Sequence, residues 1–281
     1  MNILVTGATG FVGKHLVPLL LSNGYSVSCL SRSEQSALAM PWYDDVKFYI
    51  GTINSEFDLP GLFDDVDILI HLAWPDLNNF KSIAHVETHL PDNIGFLHVA
   101  VASGVQQVMV SGTCLEYGMD NGELSENHIC NPVVSYAIAK DTLRRYLEVL
   151  QSEFSFTLQW VRLFYIYGQY QSEKSLLSQL DKAIETGAKS FNMSKGDQLR
   201  DFIPIEKASS SMLKIILNSE FNGVVNCCSG TPISVRTIVE NRLKELNASI
   251  ELNLGFYPYP DYEPMAFWGS SNKLSAVTTG K

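Results

Sequence analysis

Short hydrophobic runs alternate with amphipathic stretches along the first half of the chain. Runs bounded by turn residues predict buried strands, whereas apolar positions that recur every three or four residues predict helices. The predicted strands span residues 2–6, 26–31, 67–72, 107–111 and 157–163, and the predicted helices span 11–22, 91–103 and 135–151. Strands that alternate with helices indicate an α/β fold with a Rossmann-type, doubly wound parallel sheet.

The pattern changes after about residue 168, where strand candidates become shorter and irregular stretches with Gly, Pro and Tyr separate the helices. We therefore expect one large domain over residues 1–167 and a smaller C-terminal lobe over 168–281. The elements expected in the lobe are helices at 175–185 and 205–217 and a strand at 200–203. Residues 223–228 are expected to return to the main sheet, and residues 271–281 carry little helical signal.

The composition is that of an ordinary globular protein, with 46% hydrophobic and 18% charged residues among 281. That length is sufficient for a large domain with a smaller lobe. The net charge of -10 argues against a nucleic-acid partner, because binding to a phosphate backbone needs clustered Lys and Arg. No run approaches the ~20 apolar residues of a membrane span, so no membrane partner is expected.

The chain has five cysteines, an odd number, without the spacing of metal ligands. The adjacent Cys227 and Cys228 would point to opposite faces of a strand. We therefore expect reduced thiols in a cytoplasmic protein, and no metal site.

Residues 6–13 form a glycine-rich turn between the first predicted strand and the first predicted helix. Gly7 permits a tight turn, Gly10 lets the backbone approach a pyrophosphate, and Gly13 lets the helix pack against the sheet. The residues expected to contact a dinucleotide here are Gly7, Thr9, Gly10, Phe11, Val12 and Gly13. Glycine-rich turns also occur as plain structural punctuation, but the position between strand and helix favours a phosphate site at the helix N-terminus.

The end of the second predicted strand distinguishes NADP from NAD. An acidic residue there would accept hydrogen bonds from a ribose 2′-hydroxyl and would repel a 2′-phosphate. This chain instead has Ser31 followed by Arg32, a hydroxyl and a guanidinium that can bind a 2′-phosphate. We therefore expect NADP rather than NAD. The alternative is that Arg32 is a surface charge at the start of a loop.

Tyr136 and Lys140 lie four residues apart on a predicted helix and therefore share one face. A nearby cation favours a phenolate, so the pair suits general acid–base catalysis. Thr113 follows the strand predicted at 107–111, at the edge where doubly wound sheets bind ligands, and its hydroxyl could hold a reacting oxygen. The alternatives are a solvent-exposed Tyr–Lys pair and a turn hydroxyl that satisfies local backbone.

In this order, the motifs resemble the extended short-chain dehydrogenases, the NAD-dependent epimerase/dehydratase group that acts on nucleotide sugars. The resemblance covers almost the whole chain. The matching segments are 6–13, 67–73, Asn93, 111–118, 136–140, 162–168, 200–203 and 226–230. The resemblance implies that the large domain binds a dinucleotide and that the lobe mainly binds the substrate, a nucleotide sugar.

The resemblance also implies roles for single residues of the large domain. Thr113, Tyr136 and Lys140 would form a catalytic triad, in which Tyr136 is the acid/base and Lys140 is its electrostatic partner and a ribose ligand. Leu72 and Ala73 would line the cofactor groove.

Two further matches have competing explanations. Asn93 resembles the helix residue near the cofactor, and an internal helix cap is the competing explanation. Arg200 resembles the arginine that faces the substrate diphosphate, a task that suits a planar guanidinium. Its competing explanation is an ion pair with Asp201 or Asp197.

Departures from the family pattern narrow the expected activity. Dehydratases of this group carry an Asp-Glu pair after the Thr, and this chain has Cys114 and Leu115 there, with Glu116 displaced by one residue. We therefore expect no 4,6-dehydration. Tyr165 replaces an Asn of many members, which implies an altered substrate phosphate pocket that Tyr165 itself would line. Thr52 replaces the expected adenine-binding Asp.

These features predict NADPH-dependent reduction of a nucleotide-linked 4-keto-(6-deoxy)hexose to the 4-hydroxy sugar, with Tyr136 as general acid. An NAD-dependent nucleotide-sugar 4-epimerase is the enzymatic alternative. A catalytically silent dinucleotide-binding regulatory protein is the alternative from another class. By resemblance, the predicted helices 91–103 and 135–151 would form the interface of a homodimer.

Overall fold

The computed structural model describes residues 1–54 and 59–279. The strands are β1 (Asn2–Thr6), β2 (Ser26–Ser31), β3 (Lys47–Ile50), β4 (Ile68–His71), β5 (Gln107–Thr113), β6 (Gly122–Leu124), β7 (Thr157–Leu163), β8 (Tyr165–Tyr167), β9 (Ser190–Met193), β10 (Leu199–Pro204), β11 (Gly223–Cys227), β12 (Pro232–Ser234), β13 (Glu251–Leu254) and β14 (Phe267–Gly269). The helices are α1 (Phe11–Ser22), α2 (Glu34–Leu38), α3 (Leu90–Ala102), α4 (Ser135–Leu150), α5 (Leu176–Glu185), α6 (Ile205–Leu217), α7 (Val235–Glu245) and α8 (Asn272–Thr279). Short 3-10 turns lie at Tyr43–Asp45 and Cys114–Tyr117, and a π-helix spans His85–His89.

The main sheet has the strand order β3-β2-β1-β4-β5-β7-β11, and every pair in it is parallel. The direction in which successive strands are added reverses between β1 and β4, as in a Rossmann fold, so the predicted fold class is confirmed. The carboxyl ends of β1, β4 and β5 therefore meet at the position where such sheets bind ligands.

Hydrophobic layers cover both faces of this sheet. One layer joins α1, α6 and α8 to the sheet through residues such as Leu16, Met212 and Leu274. The other joins α3 and α4 to the opposite face through residues such as Leu97 and Leu143. Since both faces are covered, β1 and β4 have apolar residues at consecutive positions rather than at alternating ones, which explains their continuous hydrophobic runs.

Part of residues 168–281, where the lobe was expected, combines short sheets with α5 and α7, whereas α6, which was also expected in the lobe, packs on the main sheet. β10 pairs with β8 and β12, and β13 pairs with β9. A hydrophobic cluster that includes Leu180, Phe191 and Val239 joins α5, β9 and α7. This part of the chain therefore has a hydrophobic cluster that is separate from the two layers of the main sheet.

Several elements of the structure are absent from the sequence predictions, among them β3, α7 and α8. β3 is an edge strand whose residues are half-buried or exposed, so its hydrophobic signal is weak. In α7 only Ile238 and Val239 are buried. The start of this helix is capped by the Ser234 hydroxyl, which accepts the Thr237 N–H. α8 lies where little helical signal is present, and the packing of Leu274 stabilises it in place of helix propensity.

Within the described residues, no helix is long and apolar enough to cross a membrane. All five cysteines are free thiols. Cys227 and Cys228 are both buried, at the end of β11 and directly after it.

Candidate active site

A cavity of about 890 Å³ opens at the carboxyl edge of the main sheet. Its wall includes these predicted residues: Gly7, Thr9, Gly10, Phe11, Val12, Gly13, Ser31, Arg32, Leu72, Ala73, Asn93, Thr113, Tyr136, Lys140 and Tyr165. Among the predicted contacts, only Arg200 is missing from the wall that the described residues form. The fold thus brings the predicted residues of the glycine turn, the strand ends, α3 and α4 together around one cavity.

Glycine is required at two positions of the turn after β1. Gly7 has φ +71°, and a Cβ at this residue would lie 2.7 Å from the Ala73 backbone nitrogen. A Cβ on Gly13 would lie 2.5 Å from the Gly7 carbonyl oxygen. α1 begins after Gly10 without a side-chain cap from any described residue. The free N–H groups of this helix start, packed closely against the strand, fit a pyrophosphate.

Ser31 and Arg32 follow each other at the carboxyl end of β2. The Ser31 hydroxyl donates to the Ser33 carbonyl oxygen at 3.1 Å and accepts from the Ser33 N–H at 3.3 Å. The Arg32 side chain is exposed at the cavity wall, and no ion-pair partner lies near it in residues 1–54 and 59–279. Ser31 therefore shapes the loop, whereas Arg32 is available to a phosphate. Thr52 also lines this part of the cavity.

Asn93 belongs to a buried hydrogen-bond chain beneath the glycine turn. Its Nδ2 donates to the His89 carbonyl oxygen at 2.6 Å, so its Oδ1 accepts from His71 Nε2 at 2.7 Å. His71 Nδ1 then accepts from the Thr6 hydroxyl at 3.0 Å, and Thr6 Oγ1 accepts the Ala73 N–H at 3.3 Å. Burial lowers the pKa of His71 to about 3, so its ring is neutral and can play both roles. Asn93 thus makes a hydrogen bond within its helix, as the competing explanation required, and it also lines the cavity.

Thr113 ends β5 and begins the 3-10 turn that follows. Its hydroxyl oxygen accepts the Leu115 N–H at 3.3 Å, and its own N–H donates to Glu116 Oε1 at 2.8 Å, which completes a capping box. The local backbone contact considered as an alternative is therefore present. The hydroxyl hydrogen remains available, and the Thr113 side chain lies close enough to the Tyr136 phenol to lower its pKa.

Tyr136 lies in the first turn of α4 and is buried. The centroid of its ring lies 6.0 Å from that of Trp74, 5.4 Å from that of His85 and 5.6 Å from that of Phe80. Burial raises the pKa of the phenol well above its ordinary value, although the neighbouring Thr113 side chain opposes this change. The phenol is therefore protonated at neutral pH.

Lys140 lies one turn further along α4 and is almost fully buried, so the alternative of a solvent-exposed pair is wrong. Its Nζ donates to the Ser111 carbonyl oxygen at 2.9 Å and lies 4.1 Å from the centroid of the Trp74 ring. Burial lowers the pKa of Lys140 to about 7, and the Glu116 carboxylate opposes this change. Burial disfavours the charged form of each group, the phenolate of Tyr136 and the ammonium of Lys140. For Tyr136, this effect of burial is larger than the lowering of the pKa that was expected from the sequence.

Glu116 lies behind the cavity wall rather than in it. Its carboxylate accepts from Arg162 Nε at 2.7 Å and from Trp160 Nε1 at 3.0 Å. Arg162 also donates to Cys130 Sγ at 2.8 Å. Glu116, Cys130 and Asp141 are close enough together to ligate a metal ion. The guanidinium of Arg162, however, contacts the first two and already supplies a positive charge there.

The two positions after Thr113 bring a thiol and an apolar side chain to the cavity wall. Cys114 and Leu115 both line the cavity. Burial raises the pKa of the Cys114 thiol well above its ordinary value, so this group is not an acid that acts near neutral pH. Neither side chain can replace the carboxyl pair that expels a hydroxyl in 4,6-dehydration.

Arg200 is buried on β10 and holds two residues of the cavity wall. Its Nη2 donates to Glu263 Oε2 at 2.9 Å, and its Nε donates to the Tyr165 hydroxyl at 3.2 Å. The ion pair is therefore made with Glu263, rather than with Asp201 or Asp197 as considered from the sequence. Tyr165 and Glu263 reach the cavity, and Arg200 lies behind them.

Trp74, His85 and Glu263 are part of this region, but none of them belongs to a motif or spacing recognised in the sequence. Trp74 directly follows the matching segment 67–73 at the end of β4, and that position could have indicated it. His85 belongs to a π-helix, whose spacing differs from the helical period used for prediction. Glu263 is 63 residues from Arg200 in an irregular stretch, so no local pattern joins them.

Comparisons with known proteins identify the family. The model of the NAD dependent epimerase/dehydratase family matches residues 3–228. The chain is 31% identical to a dTDP-6-deoxy-L-talose 4-dehydrogenase (NAD(+)) of Aggregatibacter actinomycetemcomitans, over 96% of this chain and 100% of that protein. It is 25% identical to a GDP-6-deoxy-D-talose 4-dehydrogenase of the same organism, over 85% of this chain and 78% of that protein.

The fold also matches solved structures along its whole length. One is a UDP-glucuronic acid 4-epimerase from Bacillus cereus in complex with UDP-glucuronic acid and NAD, with a TM-score of 0.86 at 23% identity. That match covers 100% of this chain and 94% of the epimerase. The chain therefore belongs to the NAD dependent epimerase/dehydratase family, and it is an NAD(P)-dependent oxidoreductase of the extended short-chain dehydrogenase/reductase type, a group that includes nucleotide-sugar 4-dehydrogenases and 4-epimerases.

Proposed function

We propose that this chain transfers hydride at C4 of a nucleotide-linked 6-deoxyhexose, reducing the 4-keto sugar to the 4-hydroxy sugar with NADPH. One observation carries the proposal: the side chains of Thr113, Tyr136 and Lys140 line the same cavity as the glycine turn. The similarity to a dTDP-6-deoxy-L-talose 4-dehydrogenase supports C4 as the reacting carbon and a 6-deoxy sugar. A 4-dehydrogenase and a 4-ketoreductase catalyse one reaction in opposite directions.

In the reducing direction, Tyr136 donates a proton to the C4 oxygen as the carbonyl becomes a hydroxyl. The raised pKa of the phenol suits this step, because the group holds its proton at neutral pH. Thr113 Oγ1 already accepts the Leu115 N–H, so the Thr113 hydrogen can be donated to the same substrate oxygen. Such a preorganised donor stabilises the negative charge that develops on that oxygen.

A bound nicotinamide would supply the hydride, held by the glycine turn and the cavity wall. The Lys140 ammonium stabilises the Tyr136 phenolate that remains after proton transfer, and by resemblance it also contacts the ribose. The rings of Trp74, Phe80 and His85 keep water away from the phenol, which strengthens these charge interactions.

Two observations bear on the cofactor. The exposed Arg32 at the cavity wall favours a 2′-phosphate, and no Asp or Glu at the end of β2 lines the described wall, so we propose NADP. The name of the talose dehydrogenase specifies NAD(+), and NAD is therefore the rival. Comparison of KM for NADPH and NADH with the same sugar distinguishes the two.

We propose that the nucleotide sugar occupies the side of the cavity formed by Tyr165. Arg200 would act on the diphosphate by exchanging its contact with Glu263 for a phosphate oxygen, since its Nη2 is otherwise committed to that carboxylate. We further propose a homodimer built from α3 and α4, where Val99, Ile138 and Val149 are exposed. Light scattering after size exclusion measures the dimer directly.

The function is tested with a panel of 4-keto-6-deoxy sugars linked to dTDP, GDP, CDP and UDP. Absorbance at the nicotinamide band follows consumption of NADPH or NADH, and the expected result is net oxidation with at least one sugar. Tyr136→Phe is expected to reduce this rate by about 10²–10⁴-fold. Tyr146→Phe, on the same helix but outside the cavity wall, is the matched control and should keep the rate. A panel without turnover by the native chain would refute the proposal.

A nucleotide-sugar 4-epimerase is the second candidate, favoured by the whole-length fold match to a 4-epimerase. An epimerase would use the same three side chains to take the proton from the C4 hydroxyl and later to return it, while a bound NAD(+) would accept the C4 hydride and give it back on the opposite face of the sugar. Stoichiometry separates the candidates. Conversion of a 4-hydroxy sugar without net change in cofactor supports the epimerase, whereas stoichiometric NAD(P)H oxidation with a 4-keto sugar supports the reductase.

A further inference from the structure

The indole ring of Trp74 lies beside two members of the proposed catalytic triad, Lys140 and Tyr136, and is anchored by His85. The Lys140 Nζ lies 4.1 Å from the ring centroid, within the range of a cation–π interaction. The indole Nε1 donates to His85 Nδ1 at 3.1 Å. Because Trp74 is buried, the contact is made largely out of water, where it is strongest.

The hydrogen bonds define the state of His85. An indole N–H can only donate, so Nδ1 of His85 accepts, and Nε2 carries the proton that it donates to the Asn79 carbonyl oxygen at 2.9 Å. Burial lowers the pKa of His85, which agrees with a neutral ring. His85 belongs to the π-helix before α3, and such helices often occur at functional sites.

Lys140 needs a second partner besides the backbone. Its ammonium group has three donors, and the Ser111 carbonyl oxygen takes one of them at 2.9 Å. Of the titratable groups that act on it, Glu116 favours the charged form, whereas a positive charge on His71 or His85 would oppose it. The Trp74 ring adds an attraction that does not titrate.

We propose that Trp74 is a positioning residue that holds the Lys140 ammonium at the cavity wall, and that His85 fixes Trp74 for this task. The inference rests on the proposed function, in which Lys140 acts beside Tyr136. Trp74 would act through the lysine rather than on the substrate. The aromatic face would both orient the ammonium group and favour its charged form.

The test compares Trp74→Phe with Trp74→Leu. Both replace the indole by a smaller side chain, but only Phe retains an aromatic face, so the pKa of Lys140 is expected to be lower in the Leu variant by about one pH unit or less. A ¹⁵N NMR titration of lysine-labelled protein measures this pKa without cofactor or sugar. Lys140→Met identifies the resonance. A Lys140 pKa in the Leu variant that equals or exceeds that of the Phe variant overturns the proposal.

His85 is tested in the same titration. His85→Gln keeps an acceptor for the indole N–H and is expected to retain the native Lys140 pKa, whereas His85→Leu removes the acceptor and is expected to lower it. Equal values in these two variants would remove His85 from the proposal. Thermal unfolding confirms that each variant folds.

A kinetic measurement complements the titration. With an active sugar, Trp74→Leu should raise KM for the cofactor more than KM for the sugar, and should move the alkaline limb of the pH profile to lower pH. Equal changes in both KM values with an unmoved pH profile indicate a merely structural role. Because the NMR titration needs no turnover, it remains decisive even if the native chain reduces none of the sugars.

Discussion

The Glu116 carboxylate accepts a hydrogen bond from Arg162 Nε at 2.7 Å, and the side chains are 0% and 2% exposed. The same carboxylate accepts the Thr113 N–H at 2.8 Å, so a buried ion pair holds the backbone of a proposed catalytic residue. A charge in such a place is tolerated only while its partner is present.

We expect Arg162→Met to lower the free energy of unfolding by about 3–5 kcal/mol, because it leaves the Glu116 carboxylate buried without its counter-ion. Urea unfolding followed by circular dichroism measures the change. The double variant Glu116→Gln/Arg162→Met should recover part of the loss, since no buried charge remains. A single variant as stable as the native chain would contradict the importance of this pair.

A second prediction concerns Lys140 and pH. Burial lowers its pKa in the folded state from an ordinary value of 10.5 to about 7. At pH values between these two, the unfolded chain binds more protons than the folded chain. The free energy of unfolding therefore increases as pH rises through this range. Below pH ~7 the lysine is protonated in both states, and its destabilising effect is complete.

Lys140→Met should therefore raise the free energy of unfolding at pH 6 by about 1–4 kcal/mol, and the gain should shrink as pH approaches ~10. Urea unfolding at several pH values tests this. Lys214→Met on the exposed face of α6 is the control, and it should show no such pH dependence. Destabilisation by Lys140→Met at every pH would show that the contacts of Lys140 outweigh its desolvation.

A third prediction concerns the cofactor. Arg32→Ala should raise KM for NADPH about tenfold and leave KM for NADH nearly unchanged, because a charge-assisted hydrogen bond to the 2′-phosphate is lost. Steady-state kinetics with one sugar and both cofactors measures this. Arg236→Ala, an exposed arginine of the lobe that does not line the described cavity, serves as control. An equal change for both cofactors would assign Arg32 a role unrelated to the 2′-phosphate.

Local patterns were sufficient to predict most of the elements that form the cavity. β1, α1 and the glycine turn between them follow from adjacent residues, as does the shared face of Tyr136 and Lys140. Burial could not be predicted in this way. The sequence suggests a lowered pKa for the phenol, whereas the enclosing rings raise it. The partner of Arg200 could not be predicted from local patterns either, because Glu263 lies in a distant, irregular segment.

The last prediction concerns that partner. Glu263 lines the cavity and neutralises Arg200, so its carboxylate would repel an incoming diphosphate and compete for the guanidinium. Glu263→Gln removes one negative charge but keeps a hydrogen-bond acceptor for Arg200. We expect KM for the nucleotide sugar to fall about fivefold, equivalent to ~1 kcal/mol, with kcat nearly unchanged.

The effect should weaken with added salt, because it is electrostatic and the cavity is open to solvent. Glu123→Gln, an exposed carboxylate outside the described cavity wall, is the matched control and should leave KM unchanged. Arg200→Lys keeps the charge but loses the planar fork, so KM should rise in that variant. If Glu263→Gln instead raises KM, Glu263 contacts the sugar directly, and Arg200 serves to hold that carboxylate in place.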